Sequence, residues 1–97
     1  MARDNDDAVQ LLKGIGELYR RNGQSQRALV MLLIAVSVAP HDGVLLRSLV
    51  LAFTDSGDST RALGALDRLV ALEGESASLL LLRARALWYG ERKDGAR

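Results

Sequence analysis

Apolar residues recur along this chain at the three- and four-residue spacing of helices that bury one face. The spacing predicts five helices, at about residues 6–21, 25–39, 43–55, 59–72 and 76–89. Glycines, which favour a left-handed C-terminal cap, end four of the apolar runs: Gly23, Gly57, Gly74 and Gly90. Asp42, Asp58 and Ser76 precede such runs and are predicted N-caps. The pattern therefore predicts an all-α protein.

One stretch of the chain returns after 34 residues. Asn22–Leu29 recurs as Ser56–Leu63, with Gly, Ser, Arg, Ala and Leu at matching positions. The same step relates apolar residues on either side of this stretch, and a further step leads to Leu80, Ala84, Leu87 and Ala96. Such periods are typical of stacked repeats. The predicted units are residues 9–42, 43–76 and an incomplete 77–97.

The period and the first unit resemble the tetratricopeptide repeat. Residues at that family's signature spacing are Leu12, Ile15, Gly16, Tyr19, Gly23, Ala28, Leu32, Ala35 and Pro40. The resemblance implies a single domain over residues 1–97, built from about two and a half antiparallel helical hairpins. Small residues are expected to let neighbouring helices approach closely, namely Gly16, Ala28, Ala35, Ala62 and Ala84.

A concave groove lined by the first helix of each repeat follows from the same resemblance. Its predicted partner-binding residues are Lys13, Glu17, Arg20, Val44, Arg47, Leu51, Leu81, Arg85 and Trp88, beside Gln10, Thr54 and Ser78. The last helix is apolar on every side over residues 79–82, which does not suit the end of a repeat array. Either the natural sequence continues or another surface covers this helix. Trp88 has two interpretations, as a groove residue or as a contact of a missing final helix.

Composition argues against several classes of function. The 97 residues include no cysteine and one histidine, His41, beside Pro40 in a predicted loop. Neither a thiolate nucleophile nor a multi-histidine metal site fits, so no enzyme activity, metal or cofactor is expected. Thirteen basic residues face twelve acidic ones. A nucleic-acid binder needs a concentrated basic surface, so nucleic-acid binding is not expected for this balanced charge.

No segment suggests a membrane span or a secretion signal. The longest apolar stretch, residues 28–39, is 12 residues long and interrupted by Ser37. A transmembrane helix needs about 20 residues, so this stretch is interpreted as a buried helix. The N-terminus is acidic and lacks the apolar core of a signal peptide. The sequence therefore predicts a cytoplasmic protein without membrane insertion.

The segment from Leu11 to His41 resembles the small chaperones of bacterial type III secretion, of the YscY or SctY type. This resemblance implies a non-enzymatic chaperone that sequesters a small export substrate in its groove as a heterodimer and helps dock it at the export gate. The substrate is expected to present an amphipathic helix or an extended segment. Two alternatives stay open: a scaffold or adaptor fragment of a larger assembly or regulatory protein, and a self-associating unit that forms a homodimer.

Overall fold

The computed structural model describes residues 2–95, with side chains described for residues 6–91. Its helices are α1 (Ala2–Arg21), α2 (Ser25–Val38), α3 (Gly43–Asp55), α4 (Ser59–Glu73) and α5 (Ala77–Gly95). The predicted all-α class is confirmed, and α2, α3 and α4 match their predicted ranges to within one residue. Helix α1 begins earlier than predicted and α5 ends later. Ala96 and Arg97, at the end of the predicted third repeat, lie outside the described residues.

The helices pack as sequential hairpins. Each helix packs against the next one along the chain, and α3 also contacts α1 and α5. Helices α1, α3 and α5 therefore lie in a row, with α2 and α4 on the other side. Helix α3 occupies the centre, because it contacts all four other helices.

The two turns that share the 34-residue period also share their backbone hydrogen bonds. Gly23 and Gly57 have φ angles of 77° and 82°, in the left-handed region that favours glycine. The Gln24 amide donates to the Tyr19 carbonyl at 2.8 Å, and the Asp58 amide donates to the Phe53 carbonyl at 2.9 Å. Since each partner is displaced by 34 residues, the sequence repeat is also a repeat of local structure.

All three predicted N-caps are present. Asp42 accepts the Leu45 amide at 3.1 Å, and Asp58 accepts the Arg61 amide at 3.1 Å. The Ser76 hydroxyl accepts the Leu79 amide at 3.3 Å. Each bond satisfies a backbone N–H that has no partner within its own helix. The beginnings of α3, α4 and α5 are thus fixed by residues visible in the sequence.

Of the four predicted glycine caps, the one at Gly90 is wrong. Gly74 ends α4 with a φ of 84°, as predicted, but α5 continues through Gly90 to Gly95. Gly90 is buried against the start of α4, where an added Cβ would lie 2.6 Å from the Cβ of Ser59. This glycine is therefore a site of close helix packing, where a larger residue would clash.

The hydrophobic core lies between α2, α3 and α4. Its fully buried large side chains include Leu32, Leu45, Leu46, Leu66 and Leu69. The predicted close approach at Gly16 is confirmed, because a Cβ there would lie 3.0 Å from Leu32. The alanines at 28, 35 and 62 are buried, as predicted. Ala84 is exposed instead, and on α5 Ala86 is the alanine that packs inward.

Candidate protein-binding face

The basic side chains predicted to line the groove all have acidic partners within the chain. Lys13 pairs with Asp42, at the start of α3. Arg20 pairs with Glu17 on its own helix and with Asp55 of α3, at 3.3 Å. These contacts tie α1 to α3 along the row of helices.

A second set of ion pairs ties α3 and α4 to α5. Arg47 contacts Glu73 at 3.1 Å and donates to the Ser78 hydroxyl at 3.3 Å. The Arg85 guanidinium lies 3.9 Å from Asp55 and 5.7 Å from the centre of the Tyr89 ring. Asp55 therefore lies between Arg20 and Arg85, and its carboxylate links three helices.

The ion pairs shift the pKa values of their members. The Arg20 hydrogen bond lowers the pKa of Glu17 below its ordinary value, against the opposing effect of burial. The bond to Glu17 in turn raises the pKa of Arg20. Burial alone would raise the pKa of Asp42, but the Lys13 ammonium and the Leu45 amide together lower it. Both carboxylates are thus held in the charged form that their partners need.

The apolar residues predicted for the groove are divided between α3 and α5. Val44 and Leu81 are 65% and 71% exposed, and Trp88 is also exposed, whereas Leu51 is half-buried. Thr54, predicted to line the groove, is buried instead, and its hydroxyl donates to the Val50 carbonyl at 2.8 Å. That bond satisfies the hydroxyl within α3, so Thr54 belongs to the core and not to the surface.

Sequence reasoning missed the extent of the exposed apolar surface of α5. Seven exposed residues follow one side of this helix, and we call them the α5 stripe: Ala77, Leu80, Leu81, Ala84, Leu87, Trp88 and Glu91. Only Leu81 and Trp88 among them were predicted to bind a partner. The signal was present in the spacing, because steps of three and four residues keep side chains on one face of a helix.

Helix α2 carries another exposed apolar face, which the sequence pattern alone does not predict. Its members are Val30, Leu33, Ile34 and Val38, on the side away from the core. They belong to the apolar stretch at residues 28–39, whose sequence predicts a buried helix. That interpretation is wrong for this side, because no other helix of the described chain covers it. Leu33 forms one wall of an open cleft of about 470 Å³ between α2 and α4.

Neither a metal centre nor a membrane span emerges from the part of the chain that the structure describes. Within residues 6–91, no three histidine or acidic side chains come together as metal ligands. No helix in the described range combines the length and hydrophobicity needed to cross a bilayer. His41 lies in the turn between α2 and α3, beside a cleft of about 330 Å³ that Leu46 and Arg68 also line.

No family model matches the sequence, and no curated protein or solved structure matches it either. The structure therefore identifies the architecture of the protein and no family. It is a small all-α domain of five helices packed as sequential antiparallel hairpins.

Proposed function

We propose that this chain is a non-enzymatic chaperone that covers the apolar helix of another protein along the row of α1, α3 and α5. The observation that carries the proposal is the exposure of Val44 on α3 and of Leu81 on α5, which are neighbouring helices. Large apolar side chains exposed on adjacent helices of a small domain are a feature of interaction surfaces.

The charges on the same face support a mainly apolar mode of binding. Arg20, Arg47 and Arg85 already contact carboxylates of the chain itself. Because these arginines are already paired within the chain, and exposed ion pairs contribute only about 0–1 kcal/mol each to stability, little further free energy is expected from pairing them with a partner. Burial of apolar area, at about 25 cal/mol per Å², is therefore the main favourable contribution, less the free energy needed to order the partner.

The finer form of the proposal is a tetratricopeptide chaperone of the YscY or SctY type, acting in the bacterial cytoplasm. Its supports are the 34-residue recurrence, the matching turns at Gly23 and Gly57, and the sequence resemblance of the first hairpin. In this form the partner is a small type III export substrate, and its amphipathic helix or extended segment is kept from aggregation until export.

Co-expression tests this function. The probe is a small type III export substrate encoded near the gene of this chain, carrying an affinity tag. We expect the wild-type chain to keep it soluble and to co-purify with it in equal amounts. Val44→Glu should reduce co-purification at least tenfold, since it places a charge in the apolar contact.

Val30→Glu is the matched control, because Val30 is also a half-exposed valine but lies on α2, away from the row of α1, α3 and α5. It should leave co-purification unchanged. A substrate that stays insoluble beside the wild-type chain contradicts the proposal, and so does equal co-purification with both variants.

A further inference from the structure

The α5 stripe has a two-fold symmetric order. Leu80 and Trp88 lie four residues on either side of Ala84, and Leu81 and Leu87 lie three residues on either side. If two α5 helices cross in antiparallel orientation at Ala84, Leu80 of one helix faces Trp88 of the other. Leu81 then faces Leu87, so every large apolar residue of the stripe meets another. A face that complements itself in this way fits an isologous interface.

The residue at the crossing point has the right size. Ala84 is exposed and carries only a methyl group, so two helix backbones can approach closely there. The α1–α2 pair shows the same device, since a Cβ at Gly16 would lie 3.0 Å from Leu32. In repeat position, Ala84 corresponds to Gly16. The α5 stripe is thus equivalent to the side of α1 on which an antiparallel helix packs.

Charges around the stripe favour the same arrangement. Glu91 lies seven residues from Ala84, level with Ala77 of the opposing helix, which is the first residue of α5. A carboxylate near a helix N-terminus is stabilised by the helix dipole. Arg83 and Arg85 flank the crossing point, and they already contact Asp67 at 3.1 Å and Asp55 at 3.9 Å. Those carboxylates reduce the repulsion between the arginines of two copies.

The exposed apolar face of α2 lacks these properties. Its centre is Ile34, between Val30 and Val38, and a branched side chain at the centre keeps two helix axes apart. On α1 the exposed leucines, Leu11 and Leu18, are separated by two turns of helix. Among these exposed apolar faces, only the α5 stripe combines a small central residue with large residues placed symmetrically around it.

We infer that α5 is the interface of a two-fold symmetric homodimer in which two copies cross in antiparallel orientation at Ala84. One pair of crossing helices is a small interface, below the roughly 1,200 Å² of a standard complex. The dimer is therefore expected to dissociate at micromolar concentration, on the order of 1–100 µM. The dimer buries Leu81 and Trp88, so it excludes a partner bound at those residues.

Cysteine cross-linking tests the geometry, because the chain has no cysteine of its own. Ala84→Cys places two thiols at the symmetry axis, within reach of a disulfide. Ala77→Cys is the matched control, since the same residue in two antiparallel copies lies about 14 residues, or about 21 Å, apart. Under mild oxidation we expect covalent dimers from Ala84→Cys and at least tenfold less from Ala77→Cys. Equal cross-linking at both positions contradicts the antiparallel crossing.

Sedimentation equilibrium tests the dimer itself. The wild-type mass should rise with concentration from 10.5 kDa toward twice that value. Leu87→Glu should shift the dissociation constant upward at least tenfold, whereas Leu18→Glu, at an exposed leucine of α1, should leave it unchanged. A wild-type chain that stays monomeric at every concentration overturns the inference and leaves the α5 stripe to a helix of another protein. A dimer that Leu18→Glu breaks and Leu87→Glu spares overturns it as well.

The variants separate this inference from the proposed function. Leu87 lies on α5, outside the predicted groove residues, while Val44 lies on α3, outside the α5 stripe. A dimer lost only in Leu87→Glu supports the homodimer whatever the substrate does. Substrate binding lost in Val44→Glu supports the chaperone whatever the oligomeric state is.

Discussion

Helices α3 and α5 carry similar residues at equivalent positions of the 34-residue repeat, but these residues are buried in α3 and exposed in α5. Leu46 and Phe53 of α3 are 1% and 6% exposed, and Val50 between them is fully buried. The corresponding residues of α5, displaced by 34 positions, are Leu80, Leu87 and Ala84. Leu80 and Leu87 are 55% and 51% exposed, and Ala84 is exposed too.

This difference in exposure comes from the number of neighbouring helices and not from the kind of side chain. Helix α3 packs against four other helices, whereas α5 contacts only α3 and α4 among the described residues. The inward side of α5 is ordinary core, with Leu79 and Ala86 buried. Its stripe is a set of exposed residues of the type found in the core, and no other helix of the described chain covers it. A periodic pattern thus predicts which residues would face a neighbour, and packing decides whether they do.

Matched truncations in the two helices should give the largest contrast. Leu46→Ala removes a buried side chain of α3, and we expect a loss of about 2–5 kcal/mol in the free energy of unfolding. Leu80→Ala, at the equivalent position of α5, should change it by less than about 0.5 kcal/mol at low protein concentration. Urea unfolding followed by circular dichroism measures both. Equal losses would mean that Leu80 of α5 is as well covered as Leu46 of α3, which would contradict the difference in their burial.

Removing the N-caps of α3 and α5 should give a smaller difference in the free energy of unfolding. Asp42→Ala removes both the cap of α3 and the Lys13 ion pair, so we expect a loss of about 1–2 kcal/mol. Ser76→Ala removes one cap bond and the 3.2 Å hydrogen bond between the Ser76 and Ser78 hydroxyls, both at the start of α5, and should lose about 0.5–1 kcal/mol. The reverse order in urea unfolding would show that the start of α5 is the better anchored of the two.

The link between α3 and α5 at Asp55 is expected to contribute less. Asp55→Asn keeps the shape of the side chain but removes the charge that Arg20 and Arg85 share. Exposed ion pairs contribute about 0.2–1 kcal/mol, and we expect a loss in that range that shrinks in high salt. Thermal unfolding of both chains in low and high salt measures it. A loss that salt does not change would point to packing and not to charge.

Acid should give the smallest effect. The pKa values of Glu17 and Asp42 are lowered in the fold, from ordinary values of 4.5 and 3.8. Their stabilisation is therefore complete above these ordinary values and is lost as the pH falls through the lowered ones. We expect stability to fall as the pH drops below these ordinary values, and Glu17→Gln to flatten part of that slope. A slope of the same size in Glu17→Gln would assign the pH dependence to other groups.

Much of the fold was predictable from the sequence because its determinants are local. The Asp42, Asp58 and Ser76 caps, and the glycines at 23, 57 and 74, act within a few residues of where they stand. Gly90 was misassigned because its role depends on Ser59, far away in the chain. No local signal distinguishes a glycine that ends a helix from one that lets another helix approach.

The candidate binding face was less predictable for the same reason. Asp55, which pairs with Arg20, and Glu73, which pairs with Arg47, come from other helices, and sequence spacing alone does not identify these pairs. Thr54 was placed in the groove by its repeat position, but its hydroxyl is satisfied within α3 and buried. Exposure along α5 and α2 depends on which helices are present to cover them.

The most direct test of the α5 homodimer is hydrogen exchange at increasing protein concentration. Amides of α3 should exchange slowly at every concentration, because their protection requires only the monomer. Amides of α5 around Ala84 should become at least several-fold better protected as the dimer forms. Protection of α5 that does not change with concentration, while sedimentation reports a dimer, would place the interface elsewhere and contradict the account.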